Sequence, residues 1–222
     1  MSVALLDFFG NPNIGVYALA NENHVLVPIG LPARTKKVIE RILGVKVVEA
    51  KILQTTLLGI LIAGNSNAMI VPYLASDSEV ELIQNALGIK VSRLSTNLTA
   101  LGNIIIANDH GAVVHPKLRE VTIKSIESIL GVRVVSSRVG GSGLVGSSAV
   151  VTNKGALVSP NATDEELDLF ANALEVPTSV GTVNRGIPYV KSGLIVNSKG
   201  AVAGDATTGP ETDRIEEAMG LI

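Results

Sequence analysis

One pattern returns along this chain at intervals of 44 residues. Pro28 closes the run Val25-Leu26-Val27, and Pro72 closes Met69-Ile70-Val71. The same step leads to Pro116, after Val113-Val114-His115, and to Pro160, after Leu157-Val158-Ser159. A fourth step lands at Gly204, after Ala201-Val202-Ala203, with Asp205 as the alternative if one residue is inserted. Upstream of these sites stand Asn21, Asn65, Asp109, Asn153 and Asn197. Downstream come Leu43-Gly44, Leu87-Gly88, Leu130-Gly131, Leu174-Glu175 and Met219-Gly220. Three landmarks in phase predict five copies of one supersecondary unit, each unable to bury its apolar face alone. The repeats fall at about 9–55, 56–98, 99–143, 144–188 and 189–222, within a single domain over 1–222.

Each unit reads in the same order. A first apolar run, such as Gly15-Val16-Tyr17-Ala18-Leu19 or Gly59-Ile60-Leu61-Ile62-Ala63, leads to a polar turn such as Asn153-Lys154-Gly155. A second run then closes what reads as a β-hairpin. A helix follows, announced by Ser76…Glu79, Thr163…Glu166 and Thr208…Glu211, the spacing at which two side chains satisfy free N–H groups of a first turn. Val38, Ile39, Ile42 and Leu43 recur on one face of such a helix, as do Leu167, Phe170 and Leu174. Glycines at 44, 88, 131 and 220 suit a left-handed C-cap, a pattern that Glu175 breaks. Alternation in Val45-Lys46-Val47-Val48 and Val132-Arg133-Val134-Val135 supplies a third strand.

A repeat of this length also fits a WD40 propeller. The chain has no Trp, however, and a helix in every unit. A linear stack needs polar end caps, which the terminal repeats lack. The remaining solution is a closed α/β ring of ββαβ units, a five-fold pseudosymmetric propeller with its helices outside. The fifth unit stops after its helix at Leu221-Ile222, while the chain opens on an orphan strand, Val3-Ala4-Leu5-Leu6. Residues 2–8 are therefore expected to complete the last repeat and remove an open sheet edge.

Composition narrows the function classes. With 46% hydrophobic residues and a formal charge of −2, the 222-residue chain is neither a disordered polymer nor a globally basic nucleic-acid binder. Zero Cys removes disulfides, thiolate metal sites and thiol nucleophiles. Aromatics at 3% are too few for a base-stacking platform, so DNA is not an expected partner. The N-terminus lacks a basic leader, and the longest apolar run, 57–64, cannot span a bilayer. A cytoplasmic, monomeric protein is expected. Charge is uneven: residues 1–55 carry +2, 56–139 carry +1 and 140–222 carry −5. That acidic sector suits a basic protein partner better than phosphate, or is simply a solvated helix face.

If the units surround an axis, Val16, Ile60, Asn103, Ser147-Ser148 and Leu194 form a circle on one face. Asn103 and Ser148 are polar where Val16 and Ile60 are apolar, marking either partner contacts or local backbone bonds. Asn11 and Asn13, in the loop before this face, read as contacts or plain turn residues. Arg185 either pairs with a partner's carboxylate or phosphate, or binds linker carbonyls and fixes the ring. Gly141-Ser142-Gly143-Leu144-Val145-Gly146 spells G-x-G-x-x-G, but it leads toward a strand rather than a helix and reads as a linker. His24, His110 and His115 have no Cys partners, and no metal or cofactor is expected.

Ala100-Leu101-Gly102-Asn103, Asn108-Asp109, Val114-His115-Pro116, Leu144-Val145-Gly146-Ser147 and Gly181-Thr182-Val183-Asn184-Arg185-Gly186 together resemble the archaeal translation initiation factor 6 family, ribosome anti-association factors. The resemblance implies the pentein fold and no catalysis. It implies binding to the large ribosomal subunit on its joining face, which blocks the small subunit, with a place in ribosome biogenesis. It places Asn103 at a ribosome-facing position, with Ile60 standing where the family pattern has a basic residue. It also implies release by an elongation-factor-like GTPase with a Shwachman–Bodian–Diamond-type adaptor. The competing class is the guanidine-modifying penteins, whose cysteine nucleophile this chain lacks.

Overall fold

Repeat 2 displays the unit in full. One helical turn, Leu58–Leu61, enters a short strand, Ala63–Gly64, which pairs antiparallel with Ala68–Pro72. The helix Asp77–Leu87 then returns the chain, so that Lys90–Leu94 lies parallel to Ala68–Pro72. The structure, a computed structural model, describes residues 2–222 and repeats this arrangement as five three-stranded sheets. Ser76 and Thr163 open their helices as the spacing predicts: each side chain accepts from the N–H three residues on, and that Glu reaches back to the cap N–H. Gly44, Gly88 and Gly131 close theirs with φ near +60° to +70°. Glu175 adopts the same left-handed conformation at φ +54°, so the motif survives a residue that pays a steric penalty of about 1 kcal/mol for it.

Two expectations need correction. The first apolar run of each unit is not a strand throughout. It begins as one helical turn (Ile14–Tyr17, Leu58–Leu61, Leu101–Ile104, Val145–Ser148, and a 3₁₀ turn at Val190–Gly193) before two to four residues of strand. These turns crowd around the axis, where extended chain would splay apart. The repeat register also slips by one residue in units 3 and 4. The equivalent turn residues are Asn21, Asn65, Asn108, Thr152 and Asn197, because each accepts at its side-chain oxygen from the N–H groups two and three residues later. Counting on from these, Pro28 and Pro72 correspond to His115, Ser159 and Gly204. Pro116 and Pro160 each lie one position late.

The hydrophobic core is divided among the seams. Five clusters of buried residues each join the sheets and helices of neighbouring repeats. One combines Leu26 and Val48 of repeat 1 with Met69, Ile83 and Leu87 of repeat 2. The last joins Ile195 and Val202 of repeat 5 to Ile14, Val25 and Ile39 of repeat 1, which closes the ring. Val3–Leu6 pairs in parallel with Gly200–Gly204, in the register Val3↔Ala201 to Leu6↔Gly204. The orphan strand therefore completes the fifth sheet as predicted.

Candidate functional site

Chain direction gives the ring two unlike ends. The second and third strands of every unit run the same way, so the inter-repeat linkers, the helical turns and the strand-to-helix loops gather at one end. The hairpin turns gather at the other. Of eleven exposed large hydrophobics among the described residues, seven belong to the linker end: Phe9, Ile29, Tyr73, Leu74, Leu144, Ile187 and Tyr189. None lies in a hairpin turn. Phe9 adds an edge-to-face contact with Tyr17 at 6.2 Å, which stiffens this apolar surface.

At the centre of the linker end, the helical turns meet backbone to backbone. A Cβ on Gly59 would collide with the carbonyl oxygen of Gly15, and one on Gly102 with that of Gly59. Gly15 and Gly146 occupy the same position in their repeats. The fifth repeat places Lys191 there instead. Its side chain crosses to repeat 3 and donates from Nζ to the Gly102 carbonyl at 2.7 Å. Burial holds its amine down at about 8. Above Lys191 opens a cavity of about 250 Å³ lined by Val16, Ile60, Asn103, Ser147, Tyr189 and Ser192, among others. Beneath it runs a narrower space of about 70 Å³ lined by the first strands of all five sheets.

The expected circle thus exists, with two changes. Val16, Ile60, Asn103 and Ser147 surround the mouth, but the fifth member is Ser192, because Leu194 is buried two residues further along. Ser148 is buried away from the mouth, at 2% exposure, since each helical turn lines the mouth with no more than its ring-glycine position and the residue after it, and Ser148 lies one further on. Asn11 and Asn13 lie beside the mouth in an Asx turn: Asn11 Oδ1 accepts from the Asn13 N–H at 2.9 Å, and its Nδ2 donates to the Tyr17 hydroxyl at 3.3 Å. Arg185 is exposed at φ +65°, and its guanidinium has no hydrogen-bond or ion-pair partner among the described residues. The ring-fixing role belongs to its neighbours. Asn184 Nδ2 donates to Pro12 O at 3.0 Å, its Oδ1 accepts from Thr207 Oγ1 at 3.1 Å, and Glu211 accepts from the N–H groups of Arg185 and Gly186. Burial raises the Glu211 pKa, but bonds from Thr208, Gly186 and Thr182 outweigh it and bring it to about 2.

The hairpin end is sealed by polar groups. Asn21 Nδ2 donates to Asn65 O, Asn65 to Asn108 O and Asn108 to Thr152 O, at 2.9–3.2 Å. A second tier links Ser66 N to Asp109, Asp109 N to Asn153, and Asn153 N and Ser198 to Glu22. Sequence reasoning missed this ladder and Lys191; the ring glycine pattern Gly15, Gly59, Gly102, Gly146 was the signal for the latter. The glycine-rich run 141–146 enters the single turn Val145–Ser148, not a strand, and Gly146 is the ring glycine. His115 Nδ1 accepts from the Lys117 N–H at 3.0 Å, a structural use of that imidazole. The acidic sector lies on the outer helices Asp164–Leu174 and Gly209–Ala218, away from the mouth.

These features define a mixed α/β ring of five ββαβ units with pseudo-five-fold symmetry. The sequence model of the eIF-6 family matches residues 3–218. The chain is 44% identical to translation initiation factor 6 of Pyrococcus abyssi over all of both chains. It is 41% identical to that of Staphylothermus marinus over 99% of this chain and 98% of the other. It is 39% identical to that of Saccharolobus islandicus over 99% of this chain and all of the other. The chain belongs to the eIF-6 family, whose relatives carry the name of a translation initiation factor.

Proposed function

We propose that this protein binds the large ribosomal subunit through its linker end, occupies the joining face and so keeps the small subunit from docking. The observation that carries this reading is the asymmetry of the ring: exposed apolar side chains collect at the linker end, on the linkers and loops that surround helical turns packed backbone to backbone. A surface already rigid loses little ordering entropy on binding. A standard contact would bury on the order of 800 Å² on each side. Phe9, Leu144, Ile187 and Tyr189 supply apolar anchors, while Asn103 and Ser147 supply polar contacts at the mouth. Arg185, unpaired in the linker, is free to reach a partner carboxylate or phosphate. The protein acts as a monomer, in the cytoplasm with the ribosome, and catalyses nothing. No described helix is long and apolar enough to cross a membrane. Steric occupancy must be undone before subunits join, and the family resemblance supplies the candidate agent of release, an elongation-factor-like GTPase with its adaptor.

The test is a sucrose gradient with purified subunits. Co-migration with the large particle, absence from joined ribosomes and fewer joined ribosomes are expected; a factor left at the top of the gradient overturns the reading. Asn103→Arg places a long cation at the mouth of the channel and should weaken large-subunit binding about tenfold or more without changing the melting temperature.

A further inference from the structure

We infer that the channel mouth is a carboxylate-binding socket, in which the Lys191 amine receives an acidic side chain or C-terminal carboxylate from a docked protein. The inference rests on the ribosome-binding reading and names the chemistry of the partner group at its centre.

Four repeats place glycine where the helical turns cross, and the fifth places a lysine. That lysine spans the axis, yet its only hydrogen bond among the described residues is to the carbonyl oxygen of Gly102. An ammonium carries three donors, so two remain for a ligand. No Asp or Glu lines the cavity above it, which makes the amine a cation without a counter-ion. Ser192 Oγ, in the same lining, is buried without a partner. An enclosed cation, with a free hydroxyl beside it in the lining of a cavity that Val16, Ile60, Leu144 and Tyr189 share, matches a carboxylate on a short apolar stem. The volume of about 250 Å³ admits one side chain or chain end. A phosphodiester is flanked by sugars on both sides and needs an open groove, so an RNA strand fits this socket poorly. An incoming carboxylate would also stabilise the charged form of Lys191, which burial alone disfavours.

Two measurements test this. Lys191→Met, and Lys191→Gly as the residue the other repeats carry, should each weaken binding to the large subunit about tenfold or more, the usual weight of a charged hydrogen bond. Melting temperatures at or above that of the unaltered protein would show that the ring is intact. Separately, the ¹³Cε resonance of Lys191, assigned by its loss in Lys191→Met, is titrated with pH in sodium acetate or in dimethyl phosphate at equal ionic strength. Acetate should raise the pKa from about 8 toward the ordinary lysine value, and dimethyl phosphate should not. Unaltered large-subunit affinity in both variants overturns the inference while leaving the ribosome-binding reading in place. An acetate titration that leaves the resonance unmoved overturns it as well, and a response to dimethyl phosphate alone assigns the socket to nucleic acid instead.

Discussion

Glu211 and Lys191 are the two residues whose ionisation the ring shifts furthest, and they act in opposite directions. The Glu211 carboxylate is stabilised by surrounding donors, so its folded pKa of about 2 lies below the ordinary glutamate value of 4.5. Its contribution is complete above 4.5 and is lost as the pH falls toward 2. Glu211→Gln should therefore lower stability by about 2 kcal/mol at neutral pH in urea unfolding, with the gap closing near pH 2. Lys191 is the reverse case. Its folded pKa of about 8 lies below 10.5, so below pH 8 the fold bears the cost of enclosing a charge, and that cost fades as the pH rises from 8 to 10.5. Lys191→Met should raise stability by about 2 kcal/mol at pH 7, an advantage that disappears above pH 10.5. A gain at neutral pH alongside weaker ribosome binding would mark a residue kept for recognition rather than for folding.

At the scale of elements, the hairpin turns do two tasks with one side chain. Asn108 Oδ1 fixes its own turn by accepting from the N–H groups of His110 and Gly111. Its Nδ2 donates to Thr152 O and Leu174 O of the next repeat. Asn108→Ala should cost about 3 kcal/mol in chemical denaturation, because a buried site loses local and inter-repeat bonds together. Asn65 carries the same load, with Nδ2 on Asn108 O and Leu130 O, whereas Thr152 can hold only its own turn. Much of this level was legible in the chain. The capping residues Ser76 and Thr163, the left-handed glycines and the parallel third strands all follow local rules. The helical turn at Leu58–Leu61 was not, since a short apolar run fits strand and helix equally well and only crowding at the axis decides. The one-residue slips at Asn108 and Thr152 escaped a count based on prolines, because Pro116 and Pro160 keep an interval that the hydrogen bonds do not follow.

Across the whole molecule, each seam between repeats holds one of the five core clusters, so no repeat is stable apart from its neighbours. The seam that joins the two ends of the chain depends on residues near the N-terminus. Removing residues 2–8 takes away the strand Val3–Leu6 and the buried Phe8, and exposes the Gly200–Gly204 edge. The expected product is insoluble or unfolded protein; a soluble one with an unchanged melting curve would show that the closure is dispensable. Ring closure also explains why the mouth is rigid: the turn carrying Gly15 is braced on one side by Gly59 and on the other by Lys191.

Periodicity, caps and the orphan first strand were enough to determine the number of units, their internal order and the closure of the ring, because these depend on local backbone preference and on apolar surface that each unit must bury against the next. Which residue of each helical turn looks down the axis was decided only in three dimensions. The amide of Asn103 reaches the mouth while Ser148 is buried away from it, and a lysine fills the place of a glycine, because five backbones converging on one axis leave room for a side chain only where its end can cross the channel and find an acceptor.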